Sequence, residues 1–180
     1  RRITSPEVLD AAVQVMAGSV NHQLLATFAS AGVRACGISG VDGGCLLASR
    51  HIHGNGGRSG DLGLVGRIDC VRTELFDALA QGGFVPLMAP LAVTRGGQIL
   101  NVNADEVAVA CAAAWLADRL VFLTDVDGVR GPDGAVLPEL TPALIRKLIA
   151  GGVAAGGMLA KLGSAAAAVE KGVPQVEIAN

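Results

Sequence analysis

The chain has 180 residues, 51% hydrophobic and 17% charged, which supplies apolar material for a sizeable core and too little polarity for disorder. A net charge of −2 with 3% aromatic residues offers neither a phosphate-backbone footprint nor a base-stacking platform, so nucleic acid is not an expected partner. No apolar run reaches the roughly 18 to 20 residues of a membrane helix, and the opening RRITSPE lacks the apolar centre of a signal peptide; the expectation is a compact cytoplasmic domain without membrane attachment.

In chain order, Ser5-Pro6-Glu7 reads as a helix start, with Ser as the cap and Pro at the first helical position, where its missing N–H costs nothing. His22 falls on that helical stretch and carries no signal of its own. ACGIS, from Ala35, reads as a strand. His51 and His53 would share one face of a strand, but no third ligand accompanies them, so no metal site is expected. GNGGRSG, Gly54 to Gly60, has the glycines of a phosphate loop without the Walker lysine or the dinucleotide spacing, and reads as a loop. LGLVGRI and FVPLMA follow as strands, and Gly96-Gly97 as a hairpin turn. The cysteines Cys36, Cys45, Cys70 and Cys111 lie far apart without C-x-x-C spacing and read as buried thiols in a reducing compartment.

LNVNAD, Leu100 to Asp105, joins a short strand to an alanine-rich helix expected over Ala104 to Asp118. Asn103 suits the cap and Asp105 the first turn, where the helix dipole favours a carboxylate. A well-made helix start accounts for these residues, yet Asn101, Asn103 and Asp105 also gather two amides and a carboxylate at one strand end. After the strand RLVFLT comes LTDVDGV, whose Asp125 and Asp127 lack the further oxygen ligands of a Ca²⁺ loop. These residues read either as a polar strand end entering a hairpin at Pro132-Asp133-Gly134, or as carboxylates facing a nucleotide. Thr141-Pro142 repeats the helix-start device. AAGGMLAK, Ala154 to Lys161, then places paired glycines at a helix start with a lysine about one turn inside. A glycine linker before a surface lysine would look the same; so would an anion site, built from exposed helix N–H groups and a mobile cation. QVEIA closes the chain as a strand.

Apolar strands alternating with helices predict an α/β fold, a three-layer αβα sandwich with a mostly parallel central sheet. Ligands of such sheets bind beyond the carboxyl ends of the strands, and the three polar motifs each follow a strand.

Taken in order, NVNAD, the small-residue helix, LTDVDGV, a hairpin, PELT, a helix and GGMLAK resemble the acetylglutamate kinases of the amino acid kinase superfamily. RRITSPE, GISGVDGG and DLGLVGRI resemble that family's earlier segments, so the likeness spans essentially the whole chain. The resemblance implies a single amino acid kinase domain, with an acyl-acceptor part over about residues 1–100 and a nucleotide part over about 101–180. It implies phosphoryl transfer from ATP, with Mg²⁺ held mainly by the nucleotide phosphates, to the side-chain carboxylate of N-acetyl-L-glutamate in arginine biosynthesis. A homodimer or higher homo-oligomer is the implied assembly. The substrate residues would be Arg2, Asn101, Asn103, Gly43 and Gly44. Nucleotide residues would be Thr124, Asp125, Val126, Asp127, Gly128, Val129 and Arg130, with Val153, Ala154, Ala155, Gly157 and Met158. Lys161 would neutralise the moving phosphoryl group, and Asp105 would orient the catalytic lysines.

Family members begin with a strand carrying K-x-G-G, and no such motif stands in this sequence, which stops at QVEIAN short of the family's last strands. The implied state is a domain truncated at both ends. Two other readings stay open: a non-catalytic, arginine-sensing kinase-like domain of an acetylglutamate synthase, and a kinase for a related acid such as carrier-bound aminoadipate.

Overall fold

The computed structural model describes residues 3–52, 61–131, 133–151 and 156–180. Arg2 and Val153 to Ala155, expected at the site, lie outside the described residues, as do His53 and the GNGGRSG loop. The chain forms two compact units, Arg1–Val107 and Ala108–Asn180.

The first unit opens with helix α1, Pro6–Ala12. Its cap is Ser5, whose hydroxyl oxygen accepts from the Val8 N–H at 3.3 Å. The helix continues through π-helical turns, Val13–Ser19, into α2, Val20–Ser30. Strand β1, Ala35–Ser39, follows; a short 3-10 turn, Asp42–Gly44, leads to β2, Leu46–Ile52, and β3, Asp61–Val71. Helix α3, Glu74–Gln81, precedes β4, Val85–Ala89, and the short strands β5, Leu91–Val93, and β6, Ile99–Asn101. β1 and β4 pair in parallel from Ala35↔Val85 to Ser39↔Ala89. The buried Asn21 of α2 donates its Nδ2 to the Leu87 carbonyl at 3.3 Å. A Cβ on Gly37 would lie 2.1 Å from the Asn21 Oδ1, so a side chain there would displace the Asn21 amide that bonds to β4.

The remaining strands of this unit close a barrel in the order β2-β3-β6-β5. Leu46, Leu91 and Leu100 are fully buried, and burying each side chain contributes roughly 1.5–3 kcal/mol. The expected hairpin at Gly96-Gly97 is the β5–β6 turn, where the Thr94 N–H donates to the Gln98 carbonyl at 2.9 Å.

Helix α4, Ala104–Ala114, runs into the second unit and is shorter than the Ala104 to Asp118 expected. Strand β7, Arg119–Leu123, pairs in parallel with β8, Gln175–Ala179. Helices α5, Pro142–Ala150, and α6, Gly156–Glu170, lie between them in sequence. Thr141 caps α5, its hydroxyl accepting from the Leu144 N–H at 3.2 Å. One apolar cluster joins Val109 and Ala112 of α4, Phe122 of β7, Ala165 and Ala168 of α6, and Val173. The alanines let the helix backbones come close to the strands. A second cluster joins Val129, Ile145, Leu148 and Leu162.

The fold class is the α/β expected, with parallel strand pairs. Two further details differ from the sequence reading. LGLVGRI, grouped with the apolar strands, has its main pairing with β2, and that pairing is antiparallel. The barrel places this strand's two faces in different surroundings, which an apolar run does not disclose. The cysteines are all free, but only Cys45 is buried; Cys36 and Cys111 are half-buried and Cys70 is exposed. Cys70 stands near the end of β3 beside Asp69, on the strand's exposed side.

Candidate active site

In the first unit the polar residues gather around the end of β6. Thr4 is buried, with 1% of its surface exposed, and every polar group it carries is used. Its N–H donates to the Leu62 carbonyl at 3.0 Å, and its carbonyl accepts from the Leu64 N–H at 2.7 Å. Its hydroxyl accepts from Nδ2 of Asn101 at 3.3 Å. The chain start is therefore fastened alongside β3 and bonded to a residue 97 positions away. Asn101 pairs with Leu91 on one side and Val65 on the other, so the barrel fixes its backbone and Thr4 fixes its amide.

Asn103 accepts from the Glu106 N–H through Oδ1 at 3.0 Å, capping α4. Asp105 sits half-buried in that first turn. Gly43 and Gly44 lie in the turn after β1, with φ of 59° and 60°. This conformation disfavours other residues. Asp42 closes the turn, its Oδ2 accepting from both the N–H and the hydroxyl of Ser39, at 2.6 and 2.7 Å. Burial, and then the Asp42 charge, push the Cys45 thiol upward in pKa. Cys45 is thus a protonated packing residue, its Sγ donating to the Ser39 carbonyl at 3.4 Å.

In the second unit the run from Thr124 to Arg130 leaves the carboxyl end of β7. The Thr124 N–H donates to the Ala179 carbonyl at 2.8 Å, extending the parallel pairing by one bond. Asp125, Val126 and Asp127 then turn outward, while Gly128 and Val129 are buried. Gly128 has φ 138°, and a Cβ there would sit 3.0 Å from a Val136 methyl. That contact and conformation make glycine the residue for the bend. Arg130 pairs with Asp127 at 3.5 Å and donates to the Gly134 carbonyl at 3.0 Å, and a bridge from Arg130 to Val136 forms the expected hairpin.

Helix α6 starts at Gly156, and Gly157 faces open space where a side chain would be. Met158 packs against the cluster around Val129. Lys161 is half-buried, its Nζ 5.7 Å from the centroid of the Phe122 ring. That contact sets the lysine against Phe122, near the carboxyl end of β7. The arrangement suits a phosphorylated nucleotide: exposed carboxylates can accept from hydroxyl or amino groups, a helix start free of acidic residues can face phosphates, and a lysine supplies charge. Among the described residues no group of three His, Cys, Asp or Glu could hold a metal ion. Among the described residues no helix is long and apolar enough to cross a membrane.

Sequence reasoning missed Thr4 and Gly63. Neither stands in a polar motif, and their significance arises only from the pairing of the chain start with β3.

The family model described as the amino acid kinase family matches residues 1–180. The acetylglutamate kinase of Solibacter usitatus is 48% identical over 178 residues, covering 99% of this chain and 66% of that protein. The acetylglutamate kinase of Methanopyrus kandleri is 42% identical over 183 residues, covering 99% of this chain and 74% of that protein. The chain thus spans about two thirds of the length of these relatives. Among solved structures, the N-acetylglutamate synthase of Neisseria gonorrhoeae, complexed with coenzyme A and N-acetyl-glutamate, superposes with a TM-score of 0.85 at 29% identity, over 99% of this chain and 39% of that one.

Proposed function

Because the chain belongs to the amino acid kinase family, we propose that its complete gene product phosphorylates the side-chain carboxylate of N-acetyl-L-glutamate with ATP, in the cytoplasm, for arginine biosynthesis. The relatives named above support this substrate. The observation that carries the reading is Lys161, held over Phe122 of β7, the strand whose carboxyl end runs on into the exposed Asp125 and Asp127.

The acceptor is ionised at neutral pH and needs no general base. A carboxylate oxygen forms a bond to the γ-phosphorus, the bond from that phosphorus to the β,γ-bridging oxygen breaks, and ADP leaves with the electron pair. Catalysis then reduces to positioning and charge stabilisation. Arg2 and Asn101 hold the acid, with Asn103 and the Gly43-Gly44 turn shaping its surroundings. Thr124 to Arg130, Val153 to Ala155, Gly157 and Met158 hold the nucleotide. Lys161 neutralises charge on the moving phosphoryl group, and Asp105 orients the lysine. Mg²⁺, carried on the phosphate oxygens, would supply further neutralisation.

The product is an acyl phosphate, which hydroxylamine traps as a hydroxamate. The complete gene product with ATP, MgCl₂ and acetylglutamate is expected to form it, and Lys161→Ala to slow it by roughly 10²- to 10³-fold, the usual cost of removing one charge-stabilising group. A variant with wild-type turnover would remove Lys161 from the mechanism. The likeness to the Neisseria synthase favours a second reading, a non-catalytic, arginine-sensing kinase-like domain; arginine binding without hydroxamate formation would select that reading.

A further inference from the structure

We propose that Arg50 and Gly63 form a latch that positions Asn101, making them determinants of acid affinity that lie outside the acid-binding residues themselves. The inference rests on the reading of Asn101 as an acid-binding residue.

The latch is a chain of contacts within the first unit. Asn101 bonds to the Thr4 hydroxyl at 3.3 Å, and Thr4 bonds through its backbone to Leu62 and Leu64, on either side of Gly63. Gly63 has φ 70°, and a Cβ on it would lie 2.2 Å from the Thr4 carbonyl oxygen. No side chain fits in that space, so glycine is required for Thr4 to reach its place. The Gly63 carbonyl in turn accepts from Nε of Arg50 at 3.1 Å. Arg50 lies on β2 opposite Gly66, at the point where the β2–β3 register shifts. Its side chain therefore reaches along the hairpin and ties β2 to the one residue of β3 in a left-handed conformation that backs Thr4. A charge-assisted bond to that carbonyl holds the bend at a place where the ladder is irregular.

The consequence falls on the Asn101 amide. Thr4 takes one of its N–H groups and so sets the plane of the amide, which leaves the second N–H and the carbonyl in fixed directions. Loosening the Gly63 bend lets Thr4 shift, and the amide loses that fixed direction. The acid should bind less well, while nothing in the chain of contacts touches the nucleotide residues of the second unit.

The test uses the complete gene product. Arg50→Ala is expected to raise KM for acetylglutamate by roughly 3- to 10-fold, the equivalent of one hydrogen bond of ordinary strength, with kcat and KM for ATP unchanged. Arg50→Lys, which keeps a cationic donor, should recover most of the loss. Arg67→Ala is the control: Arg67 lies on the opposite face of the hairpin, exposed, in an ion pair with Asp69 at 3.5 Å, and its loss should leave all three parameters unchanged. Arg50 is exposed, so its variants should fold. Hydrogen exchange at the Thr4 and Leu64 amides should be faster in Arg50→Ala and normal in Arg67→Ala. An unchanged acetylglutamate KM, or an equal rise in both KM values, would overturn the proposal. If the wild-type protein does not use acetylglutamate at all, the acid assignment fails, and the exchange rates still decide whether the latch exists: unchanged rates in Arg50→Ala would overturn it.

Discussion

In the first unit, polar groups are set by bonds between residues far apart in sequence: Asn101 to Thr4, Asn21 to the Leu87 carbonyl, and the Gly40 N–H to the Leu91 carbonyl. In the second, the polar groups at the end of β7 are placed by local turns, and the side-chain bonds between distant residues, Arg119 to Glu177 and Arg146 to Glu170, are ion pairs away from that strand end. Alanines of α4 and α6 pack on β7 and β8, Thr124 simply continues a strand pairing, and Arg130 bonds within its own hairpin. The contrast matches what each unit is proposed to recognise. A small acid must be told from its analogues by a few groups in fixed directions, and tertiary bonds fix directions. Phosphates are met well enough by a strand end, a glycine-rich helix start and a mobile cation.

Asp105 gives the sharpest way to break this contrast, because it belongs to the first unit in structure and to the phosphoryl chemistry in its proposed role. Asp105→Asn keeps the size of the side chain and removes its charge, with the Asn103 cap on Glu106 left in place. Turnover is expected to fall on the order of 10²-fold while ATP affinity changes by less than about threefold, the pattern of a group acting in the transition state. Equal losses in rate and affinity would mean a disrupted helix start instead.

A smaller effect sharpens the contrast from the second unit, where local geometry should be open to improvement without cost to acid binding. Leu116 follows α4 in a left-handed conformation, φ 53°, and is 87% exposed. The Ala117 N–H donates to the Ala112 carbonyl at 2.9 Å around it, the closing turn that glycine usually provides. Leu116→Gly should stabilise the protein by about 1 kcal/mol, seen as a rise in Tm of roughly 2–4 °C, with the acetylglutamate KM unchanged. A lower Tm would show that Leu116 is held by contacts worth more than its strain.

The same contrast explains what was legible in the sequence. LTDVDGV, the Thr141 cap and GGMLAK are contiguous signals, and each maps onto one local structure. Asn103 declared itself as a cap because the N–H it serves is three residues away. By comparison, β2 showed only through the strand face shared by His51 and His53, because LLASRHI does not alternate cleanly and its edges are set by β3 and β5. Barrel closure depends on single pairings, Leu47↔Val93 and Val65↔Asn101, which leave no periodic trace. The π-helical turns of Val13–Ser19 sit inside an unbroken helical pattern and have no separate signature. Gly63 looked like any glycine in an apolar strand until Thr4 was found against it.

The central claim, that acid and nucleotide are bound by separately built sets of residues, is tested most directly by a crossed titration on the complete gene product. Thr4→Val removes the hydroxyl that receives Asn101 and keeps the shape of a residue that is 1% exposed. Lys161→Ala removes the cation over Phe122. Calorimetry with acetylglutamate and, separately, with ATP and Mg²⁺ should show Thr4→Val weakening the acid by about tenfold, the cost of a buried donor left unpaired, with ATP affinity unchanged. Lys161→Ala should weaken ATP by roughly threefold or more and leave the acid unchanged. If each variant weakens both ligands to the same degree, the two sets are not separate and the account is contradicted.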